Sequence, residues 1–231
     1  MSDDDVTLFG KLKNKLIDSK QKWAESGRLL TGKTAAPGER LPPGQRQVEN
    51  WPVLDLGIQP EIPLHGWRLF VDGAVESPMD WKWGAFTDLA KVKLTSDIHC
   101  VTAWSRYDNK WEGVSARTLI DLVKPKAEAQ HVIFHSYDTY TTNVPLADFA
   151  AEDVLLAWRW NGEPISREHG GPLRVVIPKL YFWKSAKWIK RIEFSVLDKP
   201  GFWEVRGYHN YGDPWLEQRY DDEASEGPEE M

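Results

Sequence analysis

The stretch from Val92 to Cys100 sets the tightest limit on the fold. Val92, Leu94, Ser96, Ile98 and Cys100 alternate with Lys93, Thr95, Asp97 and His99. A period of two is the repeat of a strand with one wet face and one dry face, and it puts Cys100 on the less charged side. Other short apolar runs follow the same logic: Trp67 to Val71, closed by the turn signal Asp72-Gly73, then His131 to Phe134, Val154 to Trp160 and Leu173 to Ile177. Trp188, Ile192, Phe194 and Val196 are expected on one face of a last strand. Ser115 reads as the N-cap of a helix carrying Leu119, Leu122 and Val123. Many strands with a few short helices, and no parallel strand–helix–strand rhythm, predict an α+β class with a mixed, strand-rich sheet system.

The ends read differently. Residues 6–26 have Leu8, Phe9, Leu12 and Leu16 at helical spacing with lysines between them, an amphipathic helix that packs on the body, a partner or a membrane surface; the body is the simplest choice. Residues 31–47 carry Pro37, Pro42, Pro43, Gly32, Gly38 and Gly44, the composition of an extended arm, so residues 1–47 are expected to form a helix and arm outside the globular unit. The unit itself is expected over residues 48–215. Residues 216–231 are expected to be an acidic, disordered tail. The last eleven residues hold six acids and no base, and without them the net charge of −6 becomes zero. A neutral body argues against nucleic-acid binding, which needs clustered Lys and Arg. There is no run of about 18 apolar residues, hence no membrane span, and no basic start followed by an apolar stretch, hence no secretory signal. With a single cysteine, the chain is expected in the cytoplasm.

The usual nucleotide cradles and the Gly-x-Ser-x-Gly elbow are absent, as are paired cysteines and His-x-x-x-His. Three clusters carry potential chemistry. Cys100 ends its strand, and a thiol there is an inert small hydrophobe, a nucleophile beside a histidine, or a metal ligand. One thiolate anchors a metal poorly unless an organic cofactor brings further sulfur ligands, and thiolates are soft donors suited to such a centre. His99 is a poor base for it, because adjacent strand residues face opposite ways. In Arg167-Glu168-His169-Gly170-Gly171-Pro172-Leu173-Arg174 the paired glycines allow close backbone approach to a ligand, with His169 and Arg174 as donors; a tight turn is the plainer alternative. Lys184-Ser185-Ala186-Lys187 offers two cations and a hydroxyl, suited to a phosphate or to a solvated loop. All three flank strands and could meet at one end of a sheet.

Together these segments resemble the molybdopterin-binding domain of the sulfite oxidase family, in its small bacterial branch that includes the methionine sulfoxide reductase catalytic subunit. The resemblance rests on Cys100-Val101-Thr102-Ala103-Trp104-Ser105 followed by Trp111-Glu112-Gly113-Val114, on Asn161-Gly162-Glu163-Pro164-Ile165, on His169 to Pro178, and on Gly201 to Asn210, and it runs from about Val48 to Trp215. It implies that fold, a molybdenum–molybdopterin cofactor (Mo-MPT), and oxygen-atom transfer on a small substrate such as a sulfoxide, an N-oxide or a sulfite-like molecule. It implies Cys100 as metal ligand and Tyr140 as an active-site tyrosine. Asn50, Ser136, His169, Arg174, Lys184, Ser185 and Lys187 are implied as cofactor contacts. Two departures stand out: sulfite-oxidising members have arginine and histidine where Glu49 and Trp51 stand here, and an acid beside an anionic substrate is repulsive. The length leaves no room for a haem or dimerisation domain, so an external electron donor or acceptor protein is expected. A molybdopterin carrier without turnover is the alternative, and a thiol enzyme using Cys100 with His99 or His169 is a weaker one.

Overall fold

A computed structural model describes residues 40–221. The proposed helix over 6–26, residues 31–39 of the arm and residues 222–231 of the tail lie outside the described residues. Among the described residues, eleven strands form two sheets. The first contains β1 (Arg46–Gln47), β4 (Lys91–Cys100), β5 (Trp104–Ser115), β8 (Leu155–Trp160), β9 (Glu163–Pro164) and β10 (Arg174–Val176). It runs β1-β5-β8-β10, with β4 on β5 and β9 on β8. The second, in the order β3-β2-β11-β6-β7, contains β2 (Arg68–Gly73), β3 (Met79–Lys82), β6 (His131–Ser136), β7 (Thr141–Pro145) and β11 (Ile189–Ser195). The β1/β5 and β2/β11 pairs are parallel and the other pairs antiparallel. Three short helices, α1 (Trp83–Thr87), α2 (Ala116–Val123) and α3 (Leu146–Phe149), complete the strand-rich α+β architecture expected from the sequence. Among the described residues no helix is long and apolar enough to cross a membrane.

The main core lies between the sheets. Val114, Leu156 and Val175 of the first sheet meet Leu69, Val71, Val132, Phe134, Val144, Ile192 and Phe194 of the second. A second cluster covers the outer face of the first sheet: Trp51, Ile98, Cys100, Trp104, Trp111, Leu155, Ala157, Val176 and Tyr181. Strand β8 is therefore buried on both faces, which is why Val154 to Ala157 reads as an unbroken apolar run rather than an alternating one. Helix α2 is capped as expected, with Ser115 Oγ accepting from the Arg117 backbone N–H at 3.2 Å.

One reading is corrected. The alternation assigned to the last strand breaks at a bulge between Ile189 and Arg191, and Trp188 takes a left-handed φ of +49°. Ile192 and Phe194 still point into the core, but Val196 is 47% exposed and Trp188 lines the cavity described below. Residues 40–47 lie along the β4–β5 hairpin: Arg46 N–H donates to Ala103 O at 3.0 Å, and Gln45 Nε2 donates to Cys100 O at 3.0 Å. At the other end Arg219 Nη1 donates to Val101 O at 2.5 Å, and Asp221 N–H to Gly207 O at 3.0 Å. Residues 40–47 of the Pro- and Gly-rich arm, and Arg219 and Asp221 near the start of the acidic tail, thus have hydrogen-bond partners in the body.

Candidate active site

The β4–β5 hairpin is the foundation. Its three-residue loop, Val101 to Ala103, closes with Ala103 at φ +64° and its N–H donating to Cys100 O at 3.1 Å. This turn fixes Cys100 at the strand end, 5% exposed, with Thr102 Oγ1 donating to its Sγ at 3.2 Å. Burial raises the thiol above its ordinary range, and the Thr102 hydrogen bond works the other way. His99 faces away, as the strand period requires, and its Nδ1 meets Ser105 Oγ at 2.8 Å. Burial holds that imidazole down to about 4, so it is neutral and turned from the sulfur. The thiol-enzyme alternative using His99 loses its base.

Cys100 opens into a cavity of about 930 Å³, counted out to its open mouth. Tyr140, His169, Arg174, Ser185 and Lys187 line it too. The three sequence clusters therefore meet in one place. Arg174 is 1% exposed. Its guanidinium donates to His169 O at 2.7 Å, Ser185 O at 2.7 Å and Val175 O at 3.4 Å, and lies 4.1 Å from the Phe182 ring centre. Among the described residues no carboxylate pairs with it, and burial alone lowers its pKa to about 9. It remains a cation at neutral pH. Lys187 Nζ donates to Leu54 O at 2.7 Å and Glu168 O at 2.6 Å, bracing two walls. His169 stacks on Trp51 with ring centres 3.9 Å apart and planes 7° apart. Burial, then the charges of Arg174, Lys187 and Arg106, hold His169 down to about 4. Tyr140 OH donates to Trp183 O at 2.8 Å, and burial keeps the phenol protonated. Ser185 Oγ accepts from the Ile177 N–H at 2.9 Å.

Three expected contacts fall outside this cavity. Asn50 is solvent-exposed, and its neighbour Trp51 provides the wall instead. Ser136 ends β6 fully buried, its hydroxyl without a hydrogen-bond partner among the described residues. Lys184 turns its ammonium away, into an ion pair with Glu204 at 2.6 Å. The paired glycines also serve a different end than expected. A Cβ on Gly171 would sit 2.0 Å from Ile165 O, and one on Gly170 would sit 2.9 Å from the Lys187 side chain. They let protein pack on protein, and so place Lys187. Glu49 is exposed and absent from the cavity wall; the acids that line it are Asp55 and Asp138.

Sequence reasoning missed Thr102, Asp138, Phe182, Trp183, Trp203 and Tyr208 as cavity residues. The count of thirteen tryptophans announces aromatic walls without saying which rings form them, and Thr102, Trp203 and Tyr208 lie inside segments that carried the family resemblance. Among the described residues no three metal-ligating side chains cluster together, so a metal bound at Cys100 needs ligands from elsewhere.

Comparison with known proteins follows this geometry. A family model described as the oxidoreductase molybdopterin binding domain matches residues 56–203. The uncharacterized oxidoreductase YuiH of Bacillus subtilis (strain 168) is 46% identical over 195 residues, 83% of this chain and 98% of that protein. The protein-methionine-sulfoxide reductase catalytic subunit MsrP of Ralstonia nicotianae is 28% identical, over 64% of this chain and 49% of its own length. Mitochondrial sulfite oxidase of Drosophila melanogaster is 32% identical, over 54% of this chain and 23% of its own. The chain thus spans half or less of those two enzymes. The sulfane dehydrogenase SoxCD of Paracoccus pantotrophus shares the fold, with a TM-score of 0.55 at 20% identity over 60% of this chain and 40% of that one.

Proposed function

Because the chain belongs to the family of oxidoreductase molybdopterin-binding domains, we propose that this cavity holds a molybdenum–molybdopterin cofactor with Cys100 as the protein ligand to the metal, and that the protein moves an oxygen atom to or from a small substrate. The carrying observation is that the Cys100 thiol opens into the same cavity as a buried cation, Arg174, that no carboxylate among the described residues neutralises. A buried charge without a counterion is costly, and an anionic ligand offsets that cost. A second observation supports the fit. Trp104 lines the cavity with its indole N–H buried and without a partner among the described residues, a donor waiting for an acceptor.

When bound, the cofactor supplies the two-electron redox centre and the sulfur ligands that one cysteine lacks. The chain's own residues do the rest. Arg174 and Lys187 offer positive charge to the cofactor's anionic part. His169, neutral at pH 7, donates or accepts at a ring nitrogen while its stack on Trp51 fixes the ring plane. Tyr140 holds its proton on Trp183 O and faces the chamber. The aromatic walls exclude water. Asp55 and Asp138 at the wall favour uncharged or cationic substrates such as sulfoxides and N-oxides over sulfite. MsrP is named for a sulfoxide substrate, which supports the same choice. Electrons exchange with an external donor or acceptor protein. The single cysteine supports a reducing, cytoplasmic setting.

Protein made in a host that synthesises the cofactor is expected to carry near-stoichiometric molybdenum and pterin, and Cys100→Ser is expected to lose most of the metal. Wild-type protein devoid of molybdenum, or a serine variant with full metal and an unaltered spectrum, defeats the reading.

A further inference from the structure

The cavity that Cys100 lines has largely aromatic walls, and Trp183 is one of their rings. It stacks on Tyr181 at 5.3 Å and 18°, and meets Tyr208 edge-on at 5.3 Å and 86°. Gly212 approaches so closely that a Cβ there would lie 2.8 Å from the indole. The indole N–H is tied down as well. It donates to Glu204 Oε1 at 3.0 Å. The same oxygen accepts from Thr142 Oγ1 at 2.8 Å and pairs with Lys184 Nζ at 2.6 Å. The Lys184 and Glu204 side chains are 0% and 1% exposed. Lys184 Nζ donates further to Asn143 O at 2.9 Å, Asn143 Oδ1 at 3.1 Å and Asn210 O at 2.6 Å. Neither charged residue lines the cavity.

Their neighbours in sequence do. Ser185 and Lys187 follow Lys184, while Trp203 and Tyr208 flank Glu204, and all four are cavity residues. Gly201 anchors this second segment on β7, where a Cβ would fall 2.4 Å from Thr141 O and where the Phe202 N–H donates to the same oxygen at 2.8 Å. A buried ion pair contributes little stability beyond an apolar pair of equal volume, because desolvation offsets the attraction. It does impose one geometry, since each charge tolerates only an arrangement that satisfies it. We propose that Lys184 and Glu204 are positioning residues of the active cavity: their ion pair clasps the 184–187 loop to the 201–210 segment and, through the Trp183 indole, sets the room left beside the Cys100 thiol. The proposal rests on reading this cavity as the cofactor and substrate chamber.

Cys100 is the only cysteine, so its alkylation in cofactor-free, full-length protein reports that room directly. Iodoacetamide and the bulkier N-phenylmaleimide are the probes, at denaturant-free conditions. Trp183→Phe keeps an aromatic side chain, smaller than the indole, and removes the N–H; Lys184→Met with Glu204→Met removes both charges. Each is expected to speed alkylation by about fivefold, more for the bulky reagent, and the combined variant is expected to be no faster than the faster of the two, since one linkage is broken twice. Leu119→Ala, in the core helix α2, serves as a control for lost stability and is expected to leave the rate near that of the wild type. Unchanged rates in the double variant, fully additive effects, or an equal acceleration in the control would each overturn the clasp. If the double variant does not fold, Glu204→Gln, which removes the charge paired with Lys184 while its amide oxygen can still accept from the indole, is expected to raise the rate, as is Trp183→Phe; an unchanged rate in Glu204→Gln overturns the proposal. The measurement uses cofactor-free protein, so its failure is distinct from an absence of molybdenum in the loaded enzyme.

Discussion

At the scale of single residues, the site is a set of charges whose states are fixed by burial. Arg174 is the clearest case. Lysine in its place is also a cation, but a single ammonium does not span the two carbonyls, of His169 and Ser185, that the planar guanidinium reaches together. Arg174→Lys is expected to leave one buried carbonyl unsatisfied, lower stability by about 1–3 kcal/mol in urea titration, and reduce pterin content. Equal stability and full pterin would show that the fork geometry is irrelevant. His169 makes a prediction about pH. Its folded value of about 4 lies below the ordinary 6.5. Between those values the unfolded chain binds a proton that the folded chain does not, so stability falls as pH drops from about 6.5 to about 4 and the contribution is complete above 6.5. In the cofactor-free protein, His169→Gln is expected to flatten that part of the urea-midpoint profile relative to wild type. Parallel profiles would mean that the ring titrates normally.

At the scale of elements, what the sequence could say depended on whether the deciding contact was local. The alternation from Val92 to Cys100 carried β4 and the orientation of Cys100 against His99, because strand period is a local property. Ser115 carried its helix start for the same reason. The bulge in β11 was not legible: the shift between Ile189 and Arg191 is decided by the partners β2 and β6. Lys184 and Lys187 look alike in sequence, yet one faces Glu204 and the other the cavity, and only the distant segment around Glu204 distinguishes them. Gly170 and Gly171 were recognised as a place of close approach, but what approaches is Lys187 and Ile165. Gly113 gives the element-scale prediction. It sits where the β5/β8 register shifts, and a Cβ there would lie 2.0 Å from Leu156 O and 2.8 Å from Ala157 Cα. The obstructing atoms are all backbone of β8, so no side chain can yield. Gly113→Ala is expected to cost about 1–3 kcal/mol by urea titration, as overpacking does. A loss of a few tenths would show that the two strands separate easily.

At the scale of the whole molecule, the cavity is assembled from parts remote in sequence: Trp51 to Leu56, Cys100 to Trp104, Asp138 to Tyr140, His169 to Trp188, and Trp203 to Tyr208. Such a site exists only in the folded chain, because the unfolded chain has no way to hold these five segments together. The family match covers 56–203, so Trp51 and Tyr208 close the cavity from beyond both of its ends. A cofactor that touches several of these segments must bind the native state and leave the unfolded state alone. Its binding then adds to the free energy of unfolding, by about 2.7 kcal/mol when it is present at a hundred times its dissociation constant. For a folded body of this size that corresponds to a rise in Tm of about 5–11 °C. Protein from a host unable to make molybdopterin is expected to melt lower than loaded protein by at least that margin. The gap is expected to narrow for Cys100→Ser, which gives up the metal ligand, and to narrow further for Arg174→Lys, which weakens the grip on the anionic part. Differential scanning calorimetry on the four preparations measures both effects. Coincident melting of loaded and cofactor-free wild type would mean that these segments are held together by the protein alone, and that the ligand contributes no closure.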